Sequence, residues 1–231
     1  MSTATDTPRI PLSKERVLRA ALDVADQGGI EALTMRRLAQ ELGVEAMSLY
    51  YHVTNKEQVL DGVIEVIVSE INSAVSQIDM PVAAGDWKAA MRMRILAARE
   101  VLLRHPWAPE VIETRTSMSP SIISYFEALL EVFRHGGFSY DLAHHALHAL
   151  GSRAIGFTQE LFNPEDGDPD AEASTAMLEQ MASQLPNLVG MMSEISHDDP
   201  DSTLGWCDDQ TEFEFGLDLI LDGLDRLRAT A

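Results

Sequence analysis

The chain has 231 residues, 45% of them apolar, and a formal net charge of −20 at neutral pH. That length suits one large domain, or a small domain beside a larger one with a substantial core. Nothing approaches the roughly 18 uninterrupted apolar residues of a membrane helix, and the lone Cys207 rules out an internal disulfide or a cysteine-based zinc cluster.

Residues 1–10 have no apolar core of the signal-peptide kind, so a cytoplasmic location is expected. Cys207 reads as a small core residue. The charge is unevenly spread. Residues 1–60 hold seven Lys/Arg and eight Asp/Glu, a balance of −1, whereas the remainder holds ten and 29, a balance of −19. The first part can approach a polyanion and the second is repelled by one.

In chain order, residues 1–12 lack periodicity and read as a flexible arm. Ser13 caps a first helix with an apolar stripe of Val17, Leu18, Ala21, Leu22, Val24 and Ala25. Gly28-Gly29 ends it, leaving Ile30 and Leu33 in the connection. Thr34 caps a second helix carrying Leu38, Ala39 and Leu42, and Gly43-Val44-Glu45 forms a tight break. A very short third helix covers about 46–51. Asn55 opens a fourth, with Gln58 completing a capping box and Val59, Val63, Val66, Ile67 and Ile71 carrying it to about residue 78. Pro81 and Gly85 mark a linker. Further helices are predicted near 87–104, 119–135, 139–162, 172–184, 187–196 and 209–228, with loops at 163–170 and 197–205. No strand alternation and no repeat occurs. The expected fold is all-α: a three-helix N-terminal domain over 13–60 and a larger helical domain over 61–231, joined through a linking helix at about 56–78.

Thr34–Lys56 reads TMRRLAQELGVEAMSLYYHVTNK. Ala39 is small enough for a second helix to cross closely, Gly43 supplies the turn, and Val44 and Leu49 plug the gap between the helices. These are the features of a helix-turn-helix, whose second helix enters the major groove by its N-terminal residues. The pattern of Ala21, Gly28, Leu33, Thr34, Arg36, Leu38, Ala39, Leu42, Gly43-Val44, Leu49-Tyr50, His52-Val53 and Asn55-Lys56 resembles the tetracycline-repressor (TetR) family over about residues 13–70. HGGFS at 135–139 and FEFGLDLILDGL at 213–224 resemble the C-terminal domain of its tetracycline-repressor subgroup.

The resemblance implies a homodimeric transcriptional regulator, usually a repressor, released from a palindromic double-stranded DNA operator by a small-molecule effector. It implies no enzyme, no cofactor and no resident metal. It puts Arg36 at a base edge, where a guanidinium pairs bidentately with guanine. Ala46, Met47 and Ser48 match base-reading positions, and Thr34, Tyr50, Tyr51, His52 and Lys56 match phosphate-contact positions. Ala46-Met47 replaces a Gln-Pro pair of the tetracycline repressor, so a different operator is expected. The plainer alternatives are a solvated Arg36 and a Tyr50 given over to the core. Arg37 reads as a surface charge.

Phe213, Leu217, Ile220, Leu224 and Leu227 recur at steps of 4, 3, 4 and 3, the spacing of a helix–helix seam. Gly216 and Gly223 suit close approach by another helix, and Asp218, Asp222 and Asp225 read as solvated. The family places such a helix in the dimer interface; packing inside one chain is the alternative. Trp87, Met91, Trp107, Met118, Phe126, Phe133, Phe157 and Phe162 are candidate pocket residues, with ordinary core as the alternative. His144 and His148 are one helical turn apart, a spacing compatible with a metal, but only Asp141 is a close acid, so a surface or interface pair is preferred. The resemblance puts Glu113 near the metal-chelating histidine of the tetracycline repressor and Glu160 at an acidic position near that metal. The missing histidine argues against tetracycline itself as effector.

Overall fold

The computed structural model describes residues 11–78, 87–115, 118–156, 184–187, 190 and 209–230. All regular structure among them is helical: α1 (Lys14–Ala32), α2 (Met35–Leu42), α3 (Ala46–Leu49), α4 (Lys56–Ser76), α5 (Trp87–Arg104), α6 (Ala108–Thr114), α7 (Pro120–His135), α8 (Tyr140–Gly156) and α9 (Asp209–Thr230). Inside α1, Gly29 leaves helical geometry (φ 74°, ψ 171°), so the regular helix stops at the glycine pair and a last turn follows it.

The predicted caps form. Ser13, Thr34 and Asn55 accept the N–H of Arg16, Arg37 and Gln58 at 3.2, 3.1 and 2.8 Å. The return bond of the capping box goes elsewhere: Gln58 Oε1 takes the N–H of Thr54, at 2.7 Å, rather than that of Asn55. Helix α6 is absent from the sequence reading. Seven residues are too few to show a 3.6-residue period, and Pro109, which marks loops in general, is here tolerated in the first helical turn. The helices predicted at 172–184 and 187–196 lie almost wholly outside the described residues.

The described residues divide into two compact units, one ending at Leu147 and the other starting at His148. In the first, one apolar core runs from α1 to α6. Val17, Leu38, Leu49, Val63 and Ile67 belong to the same buried cluster as Ala98, Val101, Trp107 and Val111. Helix α4 packs on α1, α5, α6 and α7. A second nucleus joins Trp87, Phe133 and Phe138, with ring centroids 4.6–6.1 Å apart. The HGGFS segment explains itself here: Gly137 takes φ 84°, which turns the chain so that Phe138 N–H bonds Phe133 O at 3.0 Å and its ring enters this nucleus. Burying a Phe contributes about 1.5–3 kcal/mol, more than a typical cap, so packing rather than capping fixes this corner.

The second unit contains α9 and the end of α8. Phe213, Leu217, Leu221 and Leu224 are buried. The Arg153 guanidinium lies 5.1 Å from the Phe213 ring centroid and donates to the Glu212 carbonyl. A Cβ on Gly216 would come within 2.7 Å of it. Phe213, Leu217 and Leu224 of the predicted seam therefore pack inside one chain, and Gly216 admits an arginine of that chain. The period of the seam was legible, but not which partner it meets. Ile220 is half-buried, while Phe215, Leu219 and Leu227 are exposed.

Candidate nucleic-acid interface

The α2–α3 unit has the geometry that its residues dictate. Gly43 adopts the left-handed conformation (φ 64°, ψ 35°), which costs a glycine little. Val44 N–H then bonds Ala39 O at 3.0 Å, closing the turn. Leu38, Ala39, Leu49 and Val53 are buried, and this fixes which side chains must face outward.

Arg36 is exposed and forms no ion pair among the described residues. Met47 is 72% and Tyr51 89% exposed, so both side chains are accessible to a partner. Tyr50, at 45% exposure, is not a core residue. Thr34 is exposed, and its hydroxyl still has a proton to donate after accepting from Arg37. Ala46, Ser48, His52 and Lys56 are half-buried, and Ala46 packs against the core. Arg37 pairs with Glu41 at 3.4 Å on the surface, as expected for a plain surface charge.

Sequence reasoning missed the polar stripe by which α4 is held. Glu57, Asp61, Glu65, Ser69 and Asn72 step by about one turn along it. Arg115 Nη1 lies 2.8 Å from Glu57 Oε2 and 3.3 Å from Asp61 Oδ1. Its hydrogen bond to Glu57 leads the influences that raise this guanidinium above its ordinary value, against the opposing effect of burial. Ser121 Oγ donates to Glu65 Oε1 at 2.6 Å, which leaves Ser69 as the donor in its 3.0 Å contact with Ser121. Asn72 donates to Ser121 O at 3.2 Å. Farther along, Glu70 lies 3.4 Å from Arg104, and Asp26 of α1 accepts from Trp107 Nε1 at 2.7 Å while facing His105 Nδ1 at 2.8 Å. The available signal was the turn-spaced run of acids on a largely apolar helix, although their partners lie 50 or more residues away.

The pocket candidates do not form one group. Trp87 and Phe133 join the aromatic nucleus, and Met91, one turn after Trp87 on α5, is fully buried. Trp107 instead precedes α6 and bonds to Asp26 in the core shared with α1. Met118 and Phe126 are exposed. Phe157, Glu160 and Phe162 lie outside the described residues. Glu113 is exposed on α6, and His144 and His148 are exposed on α8. Among the described residues no three His, Cys, Asp or Glu side chains converge as a metal site would require, and no helix is long and apolar enough to cross a membrane.

A tight turn at a left-handed glycine, a four-residue helix led by outward side chains and an arginine without an ion pair among the described residues define a helix-turn-helix DNA-binding regulator. The comparisons take this further. Residues 17–63 match the family model for bacterial regulatory proteins of the tetR family, and residues 81–228 match that for the tetracyclin repressor-like C-terminal domain. The repressor DrrR1 of Streptomyces coeruleorubidus is 31% identical over 96% of this chain and 80% of its own. The class C tetracycline repressor of Escherichia coli is 30% identical over 95% and 93%. Apo ActR of Streptomyces coelicolor superposes with a TM-score of 0.73 at 25% identity, covering 96% of this chain and 99% of that one, and ActR has also been solved with actinorhodin. The chain belongs to the tetracycline-repressor family and is a ligand-responsive, DNA-binding transcriptional repressor.

Proposed function

We propose that the chain binds a palindromic operator as a homodimer through residues 13–60, and leaves it when a small molecule occupies the helical domain over 61–231. Arg36, Met47 and Ser48 read bases, with Ala46 setting how closely α3 approaches them. Thr34, Tyr50, Tyr51, His52 and Lys56 contact phosphates. The exposure of Arg36, Met47 and Tyr51 around a buried Leu38–Leu49–Val53 core carries this reading. The outward strip of α9 formed by Phe215, Leu219, Ile220 and Leu227, with Gly223 beside it, is the better dimer seam, because it remains uncovered in the single chain. The effector is a largely apolar molecule bound within 87–162; the likeness to ActR, solved with actinorhodin, supports a small molecule as the effector. The protein works in the cytoplasm, holds no cofactor and catalyses no reaction.

The test is Arg36→Ala against operator fragments selected from genomic DNA. Affinity should fall by about 1–3 kcal/mol, with relaxed preference at one operator position. Unchanged affinity and base preference would remove Arg36 from the reading set.

A further inference from the structure

We propose that Arg115 masks two carboxylates at the DNA-facing end of α4, and is thereby a positioning residue for operator binding. The proposal rests on the Lys56 phosphate contact given above. Glu57 and Asp61 follow Lys56 by one and five residues, and one turn apart they share a helix face. Left bare, they would set two negative charges beside the cation that approaches the DNA backbone. Arg115 Nη1 reaches both, at 2.8 and 3.3 Å. Its side chain is 14% exposed, while those of Glu57 and Asp61 are 66% and 45% exposed, so solvent and salt screen the carboxylates in part and the arginine is what offsets their charge locally. Nη2 and Nε also lie 3.1 and 3.3 Å from Thr114 Oγ1, whose own proton goes to Val111 O at 2.8 Å. The fork is thus aimed from α6.

The charge at the tip of α4 is therefore set by a residue at the C-terminal end of α6 rather than by the head itself. Arg37 is paired locally with Glu41, and the net charge of −1 over residues 1–60 already includes Glu57, so the head has no surplus of cations to offset the two carboxylates once they are freed. A displacement of α6 by a few ångströms uncovers both. An uncompensated charge within a Debye length of a phosphate, about 8 Å at physiological ionic strength, weakens binding by roughly 2–30-fold.

The test measures operator affinity of the full chain at two salt concentrations, with circular dichroism confirming the fold. Arg115→Gln should bind roughly 2–30-fold more weakly. The triple variant Arg115→Gln, Glu57→Gln, Asp61→Asn should recover wild-type affinity. Glu57→Gln with Asp61→Asn and Arg115 retained should bind more tightly than wild type. Full affinity in Arg115→Gln, or a triple variant as weak as the single, would overturn the proposal, because a merely structural bridge is not restored by neutralising its acids. Should Arg115→Gln not fold, the double variant decides, and affinity at or below wild type overturns it. Wild-type protein that binds no duplex would refute the DNA-binding reading itself, an outcome distinct from all of these.

Discussion

Asp26→Ala is the sharpest test of how the DNA-binding head is joined to the helices behind it. Asp26 lies on α1 and its partners flank the α5–α6 corner. An indole N–H only donates and an ionised carboxylate only accepts, so Nδ1 of His105 must also carry its proton toward Asp26. Trp107 and His105 are 7% and 5% exposed. Removing the carboxylate orphans two buried donors, at about 1–3 kcal/mol each. The Asp26 side chain is 28% exposed, so water can reach part of the gap, which places the sum near about 2–4 kcal/mol. For a chain of this length, that lowers Tm by about 4–15 °C. Trp107→Phe removes a donor together with its group and leaves the Asp26–His105 contact, so about 1–2 kcal/mol is expected. Asp26→Asn keeps an acceptor oxygen and should fall between the two. Thermal unfolding followed by circular dichroism, at one protomer concentration because dimerisation contributes, ranks the three. If Asp26→Ala costs no more than Trp107→Phe, the Asp26 carboxylate does not hold the head.

Burial pushes the Glu65 carboxyl up, but the Ser119 and Ser121 hydroxyls and the Ser121 backbone outweigh it and hold the group below its ordinary value. A carboxyl depressed in this way stabilises the fold above its unfolded value and loses that contribution as pH falls through the folded one. Ser121→Ala should therefore lower Tm near about pH 7, and the deficit should shrink as pH falls through the folded value of this carboxyl; a deficit that does not change with pH would show that Glu65 is not the cause. Leu219→Glu should give a folded monomer in sedimentation, since Leu219 is 56% exposed in the single chain. Leu217→Glu should instead unfold the protein, because Leu217 is fully buried and an unpaired buried charge is costly. A dimeric Leu219→Glu protein would move the seam off this strip.

What the sequence made legible was local. Caps at Ser13, Thr34 and Asn55 require only the three residues that follow each, and the turn at Gly43 requires one glycine. The outward placement of Met47 was expected from the helix-turn-helix motif, and the structure leaves it exposed with Leu38 and Leu49 buried. The hidden features were those joining distant segments. Nothing around Asp26 marks it as the acceptor for a tryptophan 81 residues away, and nothing around Arg115 marks its reach to Glu57. The seam on α9 shows the same limit. Its period established that a helix face is covered, yet Phe213, Leu217 and Leu224 are covered by their own chain, while Phe215 and Leu219 remain outside.

The core also bears on how the repressor releases DNA. A boundary near residue 60 divides the chain by charge, but the apolar packing runs across it. Val59 and Leu60 precede that boundary, Val63, Ile64 and Ile67 follow it, and all lie in one buried cluster with Val17, Leu38 and Leu49 of the head and with Val101 and Val111 of α5 and α6. Side chains packed to the density of a protein interior do not slide independently. A shift of α5 or α6 must therefore move α4 and the reading surface together, or open a cavity at a cost of a few kcal/mol. The coupling expected between two sites is itself about 1–3 kcal/mol. Opening such a cavity would consume a coupling of that size, so the packing favours moving the head.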